Sequence, residues 1–272
     1  MVKKDGLTVD DDLKASLARS LEMSIDMLPF VPDLLKGMWA LGSSPELVVD
    51  LLRPLRLDSA RTRVLDLGCG KGAVSVVLAE ELGFRVLGVD ICEDFLIEAA
   101  EKAKEHGVSD RCRFEFHDMK RFVRTASGFD VVILASLGSV LGAYDPCVAA
   151  LRKTVRPGGF MLIDDGFLKG SEPVARTGYD HYVPHDLTLS QLTAHGDRLL
   201  KEVLTVEENR AINREYLEII KKNARDLVAR TPGIAVRVEE YIRNQEIECD
   251  TLDKYVTGAI WLLRREERSS AG

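Results

Sequence analysis

The chain has 272 residues, 46% of them hydrophobic and 30% charged, with a formal net charge of −7. That describes a folded protein of one large domain, or a core domain with a cap, rather than a disordered segment. The acidic balance argues against a nucleic-acid partner, since phosphate binding wants a basic surface.

The five cysteines are odd in number and scattered, with no C-x-x-C or zinc-like Cys/His spacing, so reduced thiols in a cytoplasmic protein are expected. The first twenty residues lack the apolar core of a signal peptide. The longest run of low polarity, 131–143, falls short of the ~20 residues that cross a bilayer, and no membrane span is expected.

In chain order, residues 1–60 read as a helical cap. Leu13, Leu17 and Leu21 recur at spacing four behind Asp10, Asp11 and Asp12, an acidic helix start. A second helix is expected over 33–41, stopped by Gly42. A third opens at Ser44-Pro45 with Val48, Leu51, Leu52 and Leu55 as its buried stripe.

From residue 61 the texture alternates. Short apolar runs at 64–67, 85–89, 113–116, 131–135 and 160–164 read as strands. Amphipathic stretches at 73–82, 94–106 and 145–155 read as helices. Such βαβ alternation predicts a parallel sheet covered on both faces. A sixth strand is expected over 198–206 and a seventh over 255–264. Between them lies a helical insert (207–250) whose Leu217, Ile220, Ala224, Leu227 and Val228 share one face.

The stretch 64–73, VLDLGCGKGA, places three glycines within five residues behind an apolar run. A strand ending in glycines can turn sharply and bring its backbone close to a ligand, and the following helix offers free N–H groups. Taken alone the loop fits both the dinucleotide fingerprint G-x-G-x-x-A and the D-x-G-x-G-x-G loop that holds S-adenosylmethionine. Asp90, 22 residues beyond Gly68, ends the next strand and can accept from both hydroxyls of a ribose in either cofactor. Asp118, at the end of the third strand, can accept from an adenine amino group, which a dinucleotide fold does not require.

The chain resembles the class I S-adenosylmethionine-dependent methyltransferases through VLDLGCGKG, the strand ending in Asp90, Asp118-Met119, FDVVILASLGSV and RPGGFMLIDDG, in family order over about residues 61–168. The resemblance implies an α/β fold with a doubly wound, seven-stranded, mostly parallel Rossmann-like sheet. The methyltransferase domain would be 61–272, with its cofactor core at 61–168 and substrate-side segments at 169–254. The implied cofactor is S-adenosylmethionine, with Asp66 fixing the loop near its methionine end and Gly68, Gly70 and Gly72 lining it. Asp90 would bind the ribose, Ile91, Asp118 and Met119 the adenine, and Ala135 would lie near the sulfonium. Lys71, in place of a small polar residue, is expected to point to solvent.

The implied activity is methyl transfer to a small-molecule acceptor. A macromolecular acceptor (tRNA or protein), a nicotinamide-dependent oxidoreductase and a non-catalytic cofactor-binding module are the alternatives. In-line displacement gains most from alignment and desolvation, and needs a base only if the acceptor must lose a proton. The fourth strand ends Ala135-Ser136-Leu137-Gly138, not in the Asn/Asp-Pro-Pro-Tyr used on nucleobase amino groups, so DNA is not expected as a partner. Asp164-Asp165 alone do not make a metal site, which wants several oxygens from separate segments, and none is expected. The polar, aromatic stretch 179–186 supplies the candidates for acceptor chemistry, His181 as general base and Tyr182 as an orienting group. Phe30, Met38 and Trp39 could line the acceptor pocket or pack the cap onto the sheet.

Overall fold

The computed structural model describes residues 3–4 and 11–267. The strands are β1 (Lys3–Lys4), β2 (Arg63–Leu67), β3 (Arg85–Asp90), β4 (Cys112–Phe116), β5 (Phe129–Ala135), β6 (Val155–Leu168), β7 (Arg198–Leu204) and β8 (Val256–Arg264). The helices are α1 (Asp11–Ser20), α2 (Val31–Leu34), α3 (Pro45–Leu52), α4 (Ala73–Leu82), α5 (Glu93–Glu105), α6 (Met119–Phe122), α7 (Tyr144–Thr154), α8 (His185–Leu192), α9 (Val206–Arg230) and α10 (Ala235–Tyr255).

The strands form one sheet in the order β1-β4-β3-β2-β5-β6-β8-β7. Pairing is parallel from β1 to β6, and β8 runs antiparallel to both β6 and β7. The seven expected strands and the helical insert between the last two are present, and the short β1 is added at one edge. Strand order reverses between β2 and β5, so their carboxyl ends open the crevice where ligands bind in doubly wound sheets.

Side-chain alternation sorts the core into two layers. Val64, Val131, Ile133 and Leu162 face α3, α4 and α5, while Leu65, Leu67, Val132, Leu134 and Ile163 face α7 and α8. A third cluster lies outside the sheet. Met27, Val31, Leu34, Leu35 and Met38 of the cap pack with Phe95 of α5 and with Ile220, Ala224, Leu227, Val238 and Tyr241 of α9 and α10. The apolar stripe read from the insert is thus buried against the cap, and the two form one lid.

α3 starts as its sequence dictates: the Ser44 side chain accepts from the Leu47 N–H, and Pro45 takes the first helical position. The cap differs from expectation just before it. The helix expected over 33–41 stops at Leu34, and residues 35–43 continue without helix or strand. Gly37 turns the chain there with φ +81°, and side chains from distant segments take the carbonyls that a helix would have used. The expected helix start also included Asp10, which lies outside the described residues.

A second difference concerns 157–159, expected as the turn between a helix and the fifth strand. Val155 already pairs with Phe129, and Phe160 next pairs with Val131, so Pro157-Gly158-Gly159 form a bulge within β6. The bulge is tight: a side chain at Gly159 would meet the Asp130 carbonyl at 2.7 Å. Among the described residues, no helix is long and apolar enough to cross a membrane.

Candidate functional site

β2 ends in the glycine loop. Asp66 projects to the same face as Val64, is buried, and accepts from Ser75 Oγ at 2.6 Å. Burial pushes its carboxyl up to about 6, against the pull of that hydroxyl. The loop is held from the next strand. Asp90 Oδ2 accepts the Gly70 N–H at 2.8 Å, while Oδ1 accepts the Cys92 N–H at 2.9 Å. Burial raises the Asp90 carboxyl, and these two N–H groups pull it back down. Each carboxylate oxygen keeps a second lone pair, so the anchoring does not exhaust its capacity to accept from hydroxyls.

A cleft opens above the loop, lined by Trp39, Ala40, Leu41 and Ser43 from the cap, by Asp66, Gly68, Cys69 and Gly70, by Ala73 and Val74 of α4, and by Ala135 of β5. Both glycines line the cleft, but their neighbours differ: a Cβ at Gly70 would meet Leu41 of the cleft wall at 3.2 Å, whereas one at Gly68 would meet Leu137 at 2.4 Å and Met119 at 3.1 Å, side chains outside the lining that already pack against it. Gly72 is placed differently from expectation. It begins α4 with φ +75°, and a Cβ there would meet Ala99 at 2.8 Å and Phe114 at 3.0 Å. It therefore serves helix–sheet packing rather than the cleft.

Asp118 caps α6, its Oδ1 accepting from the Lys120 N–H at 2.8 Å, and Met119 leans toward Gly68. Ile91 packs beside α5, half-buried. These residues border the same edge as Asp90. At the end of β5, Ser136 adopts φ +55°, a left-handed conformation that costs a non-glycine residue about 1 kcal/mol or more. Its N–H is held by the Asp164 carbonyl at 2.9 Å.

Asp164 and Asp165 point to opposite faces of β6, which keeps them from acting as a chelating pair. Asp164 shares the face of Asp66 and Ala135 and accepts from Ser43 Oγ at 2.5 Å. Burial pushes its carboxyl up to about 7, with the Ser43 bond opposing. Asp165 faces the other way, toward His181. Among the described residues, no group of three or more His, Cys, Asp or Glu side chains converges so as to hold a metal ion.

His181 is buried. Its Nδ1 lies 3.0 Å from the Gly178 carbonyl, and its Nε2 lies 3.2 Å from Asp165 Oδ2, close enough for an ion pair but misaligned for a hydrogen bond. Tyr182 stacks on the imidazole at 4.0 Å between centroids, and Tyr144, whose hydroxyl donates to the Gly166 carbonyl, meets it edge-on at 6.0 Å. Burial and the Asp165 charge raise both tyrosine hydroxyls. The sequence candidates His181 and Tyr182 thus sit together behind the Gly138 turn, but in this arrangement neither lines the cleft above the glycine loop. Met38 is buried in the cap–insert core, with Phe30 packed against it, whereas Trp39 lines the cleft.

Two contributions were not read from the sequence. Ser43, in the wall of the cleft, is held by Asp164 across 121 positions of chain, and Lys71, expected in solvent, is 1% exposed. Nothing local announces either: a serine before Ser44-Pro45 reads as a cap, and a lysine in a loop reads as solvated.

A family model described as a methyltransferase domain matches residues 58–225. The chain is 30% identical over 155 residues to the uncharacterised protein YjhP of Escherichia coli (strain K12), covering 56% of this chain and 62% of that protein. It is 34% identical over 116 residues to the 27-O-demethylrifamycin SV methyltransferase of Amycolatopsis mediterranei (strain S699), covering 42% and 41%. Among solved structures, YjhP from E. coli superposes with a TM-score of 0.73 at 21% identity, covering 86% of this chain and 98% of that one. A SAM-dependent methyltransferase from Geobacter sulfurreducens in complex with S-adenosyl-L-homocysteine gives the same TM-score and identity, covering 86% and 97%. The two curated relatives are matched over 62% and 41% of their own length, less than two thirds. The structural likenesses, at 21% identity, show the fold.

Proposed function

The chain belongs to the methyltransferase-domain family, whose model spans residues 58–225, and on that premise we propose that it transfers a methyl group from S-adenosylmethionine to a small-molecule acceptor. The observation that carries the reading is the charge of the cleft. Its lining holds one ionisable carboxyl, Asp66, and no Lys or Arg, because Lys71 is turned away into the cap. A pyrophosphate beside Asp66 would meet like charge, whereas a cationic, phosphate-free cofactor meets its complement. The glycine at 70 fits the same group, since a Cβ there would meet Leu41 at the wall of the cleft at 3.2 Å.

In this reading Asp90 holds the ribose hydroxyls, Gly68 and Gly70 let the backbone approach, and Asp66 and Ala135 face the methionine and sulfonium end. Ile91, Asp118 and Met119 border the adenine. Gly72 supports the loop from behind. When bound, the cofactor supplies an electrophilic methyl group. The chain supplies the rest: Trp39, Ala40 and Leu41 exclude water from the cleft, and the cap and insert fix the direction from which an acceptor enters. For an acceptor that must lose a proton, His181 takes it, backed by Asp165 and with Tyr182 stacked on the ring. That role requires the segment around Gly138 to open, since His181 is buried behind it in this arrangement.

The small size of the acceptor is supported by the lid, which leaves a cleft rather than an open face, and by the acidic balance of −7, which disfavours RNA. All five cysteines are free thiols, which suits a cytoplasmic protein. The test is incubation of the full chain with S-adenosylmethionine and a panel of hydroxyl, amine and carboxyl acceptors, followed by detection of S-adenosylhomocysteine. Acceptor-dependent product supports the reading. Cofactor binding with no product from any acceptor would favour a non-catalytic module, and turnover of a nicotinamide cofactor would favour an oxidoreductase.

A further inference from the structure

Lys71 lies in the middle of the glycine loop, yet its side chain is among the most buried in the protein, at 1% exposure. Its ammonium donates to the Leu35 carbonyl at 2.7 Å, lies 2.9 Å from Glu98 Oε2 and sits 5.7 Å from the centre of the Phe95 ring. The contact runs both ways, since Trp39 Nε1 donates to the Lys71 carbonyl at 3.0 Å. Lysine is rarely buried unless paired, because its charge loses hydration. A loop lysine has open solvent as an alternative, so this placement needs the carbonyl, the carboxylate and the ring together.

What Lys71 holds is the segment 35–43, which has no helix or strand of its own. Three of its carbonyls, and that of Leu34 just before it, accept from side chains outside it. Asn223 Nδ2 donates to Leu34 O at 3.0 Å and to Lys36 O at 2.8 Å, Lys71 donates to Leu35 O, and the Tyr216 hydroxyl donates to Ala40 O. The segment is therefore a strap, pinned on one side to α9 and on the other to the glycine loop. It crosses the cleft, where Trp39, Ala40, Leu41 and Ser43 form the wall opposite Gly68 and Gly70. Lys71 adjoins Gly70, whose N–H rests on Asp90, so a ligand that settles on the loop acts on the residue that latches the strap.

We infer that Lys71 is a positioning residue that couples occupancy of the glycine loop to closure of the strap 35–43 over the cleft. The inference deepens the proposed function and rests on its reading of the loop as the cofactor site. The Lys71→Met variant keeps the aliphatic stem and removes the latch. The measurement is hydrogen exchange of the full-length wild type and variant, each alone and with S-adenosylhomocysteine, read in peptides covering 34–43 and, as the loop's own report, 64–73.

For the protein alone, the variant is expected to exchange the strap amides about tenfold faster or more, as befits a lost charged hydrogen bond. With ligand, wild type should protect both peptides, while the variant should protect 64–73 and lose most of the protection at 34–43. Equal strap exchange in variant and wild type overturns the latch. Faster strap exchange with ligand protection at 34–43 intact overturns the coupling, since a merely structural lysine would give that result. If Lys71→Met does not fold, Glu98→Gln, which takes the charged partner from the ammonium and lies in neither the strap nor the cleft lining, is read with the same peptides and the same outcomes. Wild type that shows no binding of S-adenosylhomocysteine overturns the cofactor reading and the coupling with it, and the ligand-free comparison still decides the latch.

Discussion

Replacing Asp90 with alanine perturbs two properties that the structure allows to be separated. The carboxylate accepts from Gly70 N at 2.8 Å and Cys92 N at 2.9 Å, so the change leaves two half-buried backbone donors without their acceptor. Hydrogen bonds to charged groups contribute about 1.5–3 kcal/mol each. Relief of the burial that raises the Asp90 carboxyl offsets part of this. A net loss of about 2–4 kcal/mol follows, or a fall in Tm of roughly 4–12 °C for a chain of this size. Separately, loss of the ribose contact should weaken S-adenosylhomocysteine by about 1.5–3 kcal/mol, roughly 10- to 150-fold in Kd. Differential scanning calorimetry reads the first effect. Isothermal titration well below the variant's Tm reads the second. Asp90→Asn, which keeps one acceptor oxygen, should fall between wild type and alanine on both axes. Unchanged affinity in the folded alanine variant would remove Asp90 from the ligand site, and an unchanged Tm would refute its role in holding the loop.

Gly72→Ala should cost stability, about 1–3 kcal/mol, because the left-handed backbone and the Ala99 contact at 2.8 Å both oppose a side chain; its folded fraction should bind S-adenosylhomocysteine normally, and lost binding at normal stability would return Gly72 to the cofactor. Gly70→Val, beside Leu41 and facing the cleft, should instead abolish that binding, and normal titration of this variant would mean the loop does not face a ligand. Asp66 and Asp164, held at about 6 and about 7 in the folded protein, keep protons that the unfolded chain releases near pH ~3.9. Stability from these groups is therefore fullest below that pH and is lost as pH rises through about 4 to 7. Asp164→Asn should flatten this decline in a Tm profile across that window; an unchanged slope in the variant would mean Asp164 does not titrate there.

The parallel core was legible because its signals are local. Apolar runs ending in Gly or Asp mark strand ends, and helical spacing marks α4, α5 and α7, so these elements fall within a residue or two of expectation outside β6. Asp66, Gly68, Gly70 and Ala135 were legible for the same reason, as positions in a strand–loop–helix motif, and all four line the cleft. The residues that were missed owe their placement to long-range contacts. Lys71 finds Leu35 across 36 positions, and Ser43 finds Asp164 across 121. Residues 35–41 satisfy a helical pattern, yet tertiary donors from Asn223, Lys71 and Tyr216 hold them as a strap, because those bonds and the cap–insert core outweigh a short helix of marginal stability. The packing of Gly72 against Ala99 and Phe114 was not legible because a motif fixes which residue stands at a position, not which way its Cα faces. The bulge at 157–159 has the composition of a turn and differs from one only in the pairing of Val155, which sequence does not report.

The central claim is that the cleft above the glycine loop takes a phosphate-free adenosyl cofactor rather than a dinucleotide. Isothermal titration of the full-length protein with S-adenosylhomocysteine, NAD and NADP in the same buffer tests it most directly. Saturable binding of one S-adenosylhomocysteine per chain, with neither dinucleotide bound, is the predicted result. Binding of NAD or NADP with no binding of S-adenosylhomocysteine would contradict the account.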